Sequence, residues 1–185
     1  RMRVSPSSSV WDKADVAGPP LPWRYSYLPD TPRMREVLRP IVSAQLLGSS
    51  LSAPVKALVD SGSEHVLAAP WLASDASIDL DQAKYEIDLG IAGGNPSVRF
   101  VDMTLRLLHP DGDDDHYIEW EAEVGFPDQW RPAWPMLLGQ VGFFDRFTVN
   151  MHRAARSIVV EDWDAFDLHW GITPDEAPDA LPKPI

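Results

Sequence analysis

A mainly β domain with a small barrel or sandwich topology is predicted, on three observations. Apolar and polar residues alternate through the middle of the chain. Val101, Met103, Leu105 and Leu107 interleave with Asp102, Thr104 and Arg106; Ile118, Trp120, Ala122, Val124 and Phe126 are spaced by Glu119, Glu121 and Glu123. Turn-forming clusters separate such runs, among them Gly48-Ser49-Ser50 and His109-Pro110-Asp111-Gly112. Helix signals are confined to residues 70–74 and 139–147, and no internal repeat occurs at any period.

Taken in order, residues 1–32 read as a Pro/Ser-rich arm, partly disordered, with residues 33–161 as the folded domain and residues 162–185 as an acidic, Pro-rich extension. The two ends differ in sign. Residues 1–40 carry seven basic and four acidic side chains, whereas residues 161–185 carry one basic and seven acidic. The first strand is expected over residues 40–47, closed by the Gly48 turn. Residues 55–59 (VKALV) form a short apolar run of the kind a buried strand shows. Tyr85 to Leu89 alternate with period two, and the two long alternating stretches follow, joined by a hairpin turn at residues 109–115. A short helix is expected over residues 139–147, near the C-terminal end of the core, then a strand pair at 148–151 and 157–160.

Composition narrows the function. The chain has 185 residues, 44% of them apolar, enough to bury a core. A net charge of −12 argues against nucleic acid, because phosphate binding needs a cationic face. The absence of cysteine excludes disulfides, Cys-type zinc sites, iron–sulfur ligation and thiol catalysis. No run approaches the 18 apolar residues of a membrane span, and residues 1–10 lack the apolar core of a signal peptide. A cytoplasmic location is therefore expected, with no membrane partner.

One constellation carries chemistry. The apolar strand of residues 55–59 runs directly into Asp60-Ser61-Gly62-Ser63. A carboxylate at the end of an apolar strand is costly unless backbone N–H groups or another polar partner satisfy it. Gly62 allows the sharp turn that presents such an N–H. Alone, Asp-Ser-Gly is equally an ordinary Asx-type turn. Some thirty residues on, Leu89-Gly90-Ile91-Ala92-Gly93-Gly94-Asn95-Pro96 forms a glycine-rich hairpin tip, suited to a mobile lid over a cleft. Later, Leu137-Leu138-Gly139 supplies two bulky aliphatics and a glycine able to pass beneath a turn and support it.

This order of features resembles the retropepsin-like (retroviral-type) aspartic proteases over roughly residues 38–161. The resemblance rests on Ala57-Leu58-Val59-Asp60-Ser61-Gly62-Ser63, on the glycine-rich tip, and on Leu137-Leu138-Gly139 with the stretch after it. Ser61 stands where Thr is frequent and Ser63 where Ala is frequent. The resemblance implies a closed β-barrel and an aspartic endopeptidase. Asp60, Ser61 and Gly62 would form the catalytic loop, residues Gly90, Ile91, Ala92, Gly93 and Gly94 a substrate-binding flap, and Leu137, Leu138 and Gly139 the support of the site. It implies a peptide or protein substrate and no metal or organic cofactor. Catalysis in this family needs two aspartates, and the chain has a single Asp-Ser-Gly; Asp30-Thr31-Pro32 lacks the glycine and a preceding apolar strand. A homodimer joining Asp60 of each subunit is the implied solution, with Ser61 reaching across to lock the two loops. The alternative is a non-catalytic retropepsin-like dimerisation or peptide-binding module.

Other chemistries fit less well. Residues 1–59 hold no histidine, so the chain order of a trypsin-like triad fails. Asp111 to Asp115 lack the Gly and Glu positions of an EF-hand, and the five histidines show no zinc-ligand spacing. His65 follows the Asp60 loop and reads as a packed strand residue. Trp120, Trp130 and Trp134 are expected in the core or along a cleft wall.

Overall fold

Three short strands set the architecture: β6 (Val55–Val59), β7 (Val66–Ala68) and β11 (Met136–Leu138). Two of them, β7 and β11, bury both faces, and the third, β6, keeps Lys56 exposed. Ala57, Val59, Val66, Ala68, Met136 and Leu138 point into the main core, while Leu58, Leu67 and Leu137 point the other way into a second apolar layer. Strands covered on both sides read as unbroken apolar runs rather than as alternation.

The computed structural model describes residues 15–17, 21–26, 28–29, 38–91, 94–111 and 115–162. The remaining strands are β1 (Asp15–Ala17), β2 (Trp23–Ser26), β3 (Leu28–Pro29), β4 (Leu38–Arg39), β5 (Ile41–Leu47), β8 (Tyr85–Asp88), β9 (Ser97–Leu108), β10 (Tyr117–Pro127), β12 (Thr148–His152) and β13 (Ser157–Glu161). Six strands pair in a closed ring, β10-β7-β11-β6-β5-β9 and back to β10. The ring is antiparallel except at β7–β10 and β6–β11, which run parallel. Of the barrel and sandwich topologies expected for a mainly β chain, the closed barrel is the observed fold. Closure leaves the ring itself without an edge; β1 adds to β10, and β8 adds to β9.

β9 divides between the two apolar layers. Val98 and Phe100 face the second layer, whereas Met103, Leu105 and Leu107 face the main core. The alternation is unbroken, and the two sets lie on opposite faces, so one strand serves both faces of the wall. On β10, Gly125 makes this possible. A Cβ there would stand 2.7 Å from Leu67, 2.8 Å from Val98 and 2.9 Å from Phe100, so any side chain would pry the second layer apart.

Two elements differ from the sequence expectation. Within the expected N-terminal arm, β2 pairs with β13 in register Trp23↔Val160 to Ser26↔Ser157, and Trp23 and Tyr25 are buried in the main core. The Tyr25 hydroxyl donates to the Leu108 carbonyl at 2.7 Å. This four-residue strand lies among prolines, which mask a pattern that short. Residues 139–147 form a run of turns, not a regular helix. Phe144 N–H donates to Gly139 O at 3.2 Å and Asp145 N–H to Gln140 O at 3.1 Å, five residues back in each case. Gly142 sits at φ +98°, outside helical space, and its N–H donates to Asp145 Oδ1 at 3.0 Å. Phe143 and Phe147 are nevertheless buried against Trp120, whose Nε1 donates to Gly142 O at 2.6 Å. Among the described residues the regular α-helix is α1 (Pro70–Asp75), at the sequence signal of residues 70–74; it opens on a proline, which suits a first turn. The expected arms beyond residue 162 and before residue 15 lie outside the described residues.

Candidate active site

Asp60 follows the last residue of β6, where the strand leaves the barrel wall. Its N–H donates to Leu138 O of β11 at 3.0 Å, which continues the parallel pairing of these strands by one more bond. The chain then turns. Gly62 N–H donates to Asp60 Oδ1 at 3.0 Å, and Ser63 N–H donates to Asp60 O at 3.1 Å. The carboxylate is half-buried, with Ser61 and Gly62 exposed beside it. The Gly62 N–H thus supplies the polar partner that a strand-end carboxylate requires.

Gly139 lies under this loop. A Cβ at that position would overlap the backbone carbonyl of His65 and stand 2.7 Å from Ser63 O. Only glycine lets the end of β11 pass so close to the returning chain. The crossing is then stitched by Gln140 N–H to Ser63 O at 2.9 Å, Val141 N–H to Glu64 O at 2.8 Å, and Val66 N–H to Val141 O at 3.1 Å. Leu138 is buried in the main core and Leu137 in the second layer. The structure therefore brings Leu137, Leu138 and Gly139 together with Asp60, Ser61 and Gly62, although more than seventy residues separate them in sequence.

Gln140 is a member of the site that the sequence reading missed. Its side-chain Nε2 donates to the Ser61 carbonyl at 2.8 Å and so holds the exposed limb of the turn. Its position beside Gly139 is the available signal, masked by the helical spacing of the residues that follow.

The glycine-rich tip crowns a hairpin of β8 and the first part of β9, in register Tyr85↔Phe100 to Asp88↔Ser97. Leu89 N–H donates to Pro96 O at 3.1 Å, and Ile91 and Gly94 exchange backbone bonds at 2.9 Å. Gly90, Ile91 and Gly94 thus lie at the hairpin end; Ala92 and Gly93 lie outside the described residues. Leu89 and Ile91 pack, with Trp130, on the second apolar layer of Leu67, Val98, Phe100 and Leu137. Leu58, Leu67 and Leu137 belong to the strands around the Asp60 loop, so hairpin and loop share one apolar floor. Trp130 Nε1 donates to Trp134 O at 3.0 Å, which fixes the indole along that floor. A cleft of about 110 Å³ separates the hairpin end from residues 128–131, lined by Ile91, Gly94, Asn95, Pro96, Asp128 and Arg131 among others.

His65 packs edge-on against Phe100, ring centroids 4.9 Å apart, as a half-buried strand-start residue. Among the described residues no group of three His, Asp or Glu side chains is placed to hold a metal ion. No helix among them is long and apolar enough to cross a membrane.

Sequence comparison matches residues 42–107 to the aspartyl protease family. The matched segment begins in β5 and ends in β9, and so contains the Asp60 loop, α1 and the whole glycine-rich hairpin. No curated protein matches the chain in sequence. Among solved structures, the crystal structure of a retropepsin-like aspartic protease from Rickettsia conorii is similar at 15% identity and a TM-score of 0.48, covering 80% of this chain and 95% of that one. The aspartyl protease pattern over residues 42–107 is thus carried on a closed, mainly β barrel.

Proposed function

We propose that the protein is an aspartic endopeptidase that works as a homodimer, with Asp60 of each subunit activating one water between them. The observation that carries this reading is the half-buried Asp60 carboxylate at the end of an apolar strand, held by the Gly62 N–H over the Gly139 crossing. One such loop per chain gives half a dyad. Twofold pairing supplies the other half, with Ser61 reaching across to its counterpart; the exposure of Ser61 beside Asp60 supports this reading.

Two carboxylates about 3 Å apart do not both ionise, so one keeps a proton that the pair shares. The ionised member takes a proton from the water as its oxygen attacks the peptide carbonyl. The protonated member gives its proton to the carbonyl oxygen. As the tetrahedral intermediate collapses, one of its hydroxyls returns a proton to the dyad while the C–N bond breaks and the leaving amine takes a proton from the dyad, so the dyad again holds its single shared proton. The hairpin of residues 90–94 acts as a flap. Its backbone groups bond an extended peptide, and the partly buried Leu58, Leu89, Ile91 and Trp130 favour apolar side chains.

The test is digestion of a diverse peptide library across acidic and neutral pH by wild type and Asp60→Asn. The expected result is cleavage with a bell-shaped pH profile belonging to the dyad, lost by about 10²-fold or more in the variant while the melting temperature holds. Equal cleavage by both proteins places the chemistry elsewhere. Peptide binding without cleavage by wild type favours the non-catalytic module.

A further inference from the structure

Outside the proposed dyad and its floor, the foot of the flap hairpin carries a polar cluster with no part in the chemistry above. Lys84 precedes β8 and Tyr85 opens it. Lys84 Nζ lies 3.0 Å from Asp102 Oδ2 of β9 and 3.3 Å from Glu123 Oε2 of β10. The Tyr85 hydroxyl donates to Glu123 Oε1 at 2.5 Å. Asp102 and Glu123 stand directly opposite each other across β9 and β10. Like charges so placed repel, and the Lys84 ammonium between them relieves that repulsion. Glu121, next on the same face of β10, is taken by the Thr104 hydroxyl.

Side chains of β8 beyond this foot are exposed along its whole length. The strand is therefore not held by burial, and its fastening is left to its backbone pairing and to the cluster at its base. The Tyr85 ring stacks on Phe100, centroids 4.9 Å apart and planes 18° from parallel. Phe100 is fully buried, and its edge meets His65. The His65 carbonyl accepts the Ser63 hydroxyl at 2.8 Å and is the group that crowds Gly139. A continuous contact thus runs from the flap strand through Phe100 to the end of the Asp60 loop.

We propose that Tyr85 is a positioning residue: latched to Glu123 through its hydroxyl and to Phe100 through its ring, it fixes the flap strand relative to the loop that carries Asp60. This rests on the flap reading given above. The groups facing the latch carboxylate are Lys84, Tyr85 and Asp102, with Glu121 alongside on its own strand. The Glu123 carboxylate, by accepting the hydroxyl, pushes the Tyr85 phenol up to about 12, so the donor stays protonated through neutral and mildly alkaline pH.

The test compares wild type with Tyr85→Phe, which keeps the ring, Tyr85→Ala, which loses both contacts, and Glu123→Gln. Amide hydrogen exchange is followed in β8 and, as a reference, in β5 and β10. We expect β8 exchange to speed up by about tenfold or more in Tyr85→Ala and by less in Tyr85→Phe, with the reference strands unchanged. Difference spectrophotometric titration against Tyr85→Phe isolates the Tyr85 phenol, which should fall from about 12 towards its ordinary 10.0 in Glu123→Gln. On peptide substrates, Tyr85→Phe should lower kcat/KM at an unchanged melting temperature. Unchanged β8 exchange in Tyr85→Ala overturns the proposal, as does a uniform rise over all strands, which marks a merely structural residue. If wild type cleaves no peptide, the endopeptidase reading fails, and exchange and titration still decide the latch.

Discussion

Gly139 and Gly90 make the tightest test of single residues. A methyl group at Gly139 would run into the His65 carbonyl, which belongs to backbone and cannot swing aside. Gly139→Ala should therefore cost about 1–3 kcal/mol, the range for overpacking, read as a lower urea midpoint. At Gly90 the nearest atom to an added Cβ is Asn95 Oδ1, at an ordinary 3.7 Å; Gly90→Ala should stay within about 0.5 kcal/mol of wild type. Charge gives a second test. Lys84 is pushed up by its bonds to Asp102 and Glu123, and Tyr85 is raised to about 12 by its bond to Glu123. Both groups hold their protons more tightly when folded. Their contribution is complete below the unfolded values and is lost as pH rises through the folded ones. For Tyr85 that window runs from 10.0 to about 12. Urea unfolding across this window should show stability falling, and Tyr85→Phe should flatten the fall. Asp60, Ser61 and Gly62 were legible as a site because strand, acid and glycine occur in one contiguous stretch. Gln140 was less so: its place beside Gly139 was visible, but its bond to a carbonyl 79 positions away is not.

At the scale of elements, legibility followed periodicity. The long strands β9 and β10 announced themselves by alternation, and their hairpin by its turn residues. β7 and β11 did not: three apolar residues in a row, buried on both faces, carry no period to read. The stretch after Gly139 had helical spacing of Phe143 and Phe147, yet Gly142 at positive φ turned it into consecutive turns that still bury both rings. Leu137 lies where these strands meet the flap. Leu137→Ala should cost about 2–5 kcal/mol, the usual span for a buried leucine. Because Leu89 and Ile91 rest on the same layer, the variant should also speed amide exchange in the hairpin. A hairpin left as protected as in wild type would show that the floor does not hold it.

For the molecule as a whole, the N-terminal segment matters more than its composition suggests. β2 covers β13 and sends Trp23 and Tyr25 into the core. A chain lacking residues 1–26 loses both aromatics, each of a class whose removal costs about 3–5 kcal/mol for Trp or Phe. It should be largely unfolded or melt far lower by circular dichroism. The proposed homodimer makes a separate demand. Melting temperature should rise with protein concentration, because association favours the folded side, and light scattering should report twice the chain mass. A concentration-independent melt with monomer only would sink the paired-Asp60 arrangement.

The parallel pairing of β6 with β11 also sets an order in time. Ala57 to Val59 wait for Met136 to Leu138, and the Asp60 N–H has no strand partner until Leu138 arrives. Contacts so far apart in sequence form late and slowly. During synthesis the ribosome delivers Asp60, Ser61 and Gly62 well before the residues that shape them, so the nascent chain carries the loop's sequence without its geometry. The proposed site therefore takes shape only once residues 136–140 have emerged and reached the Asp60 loop.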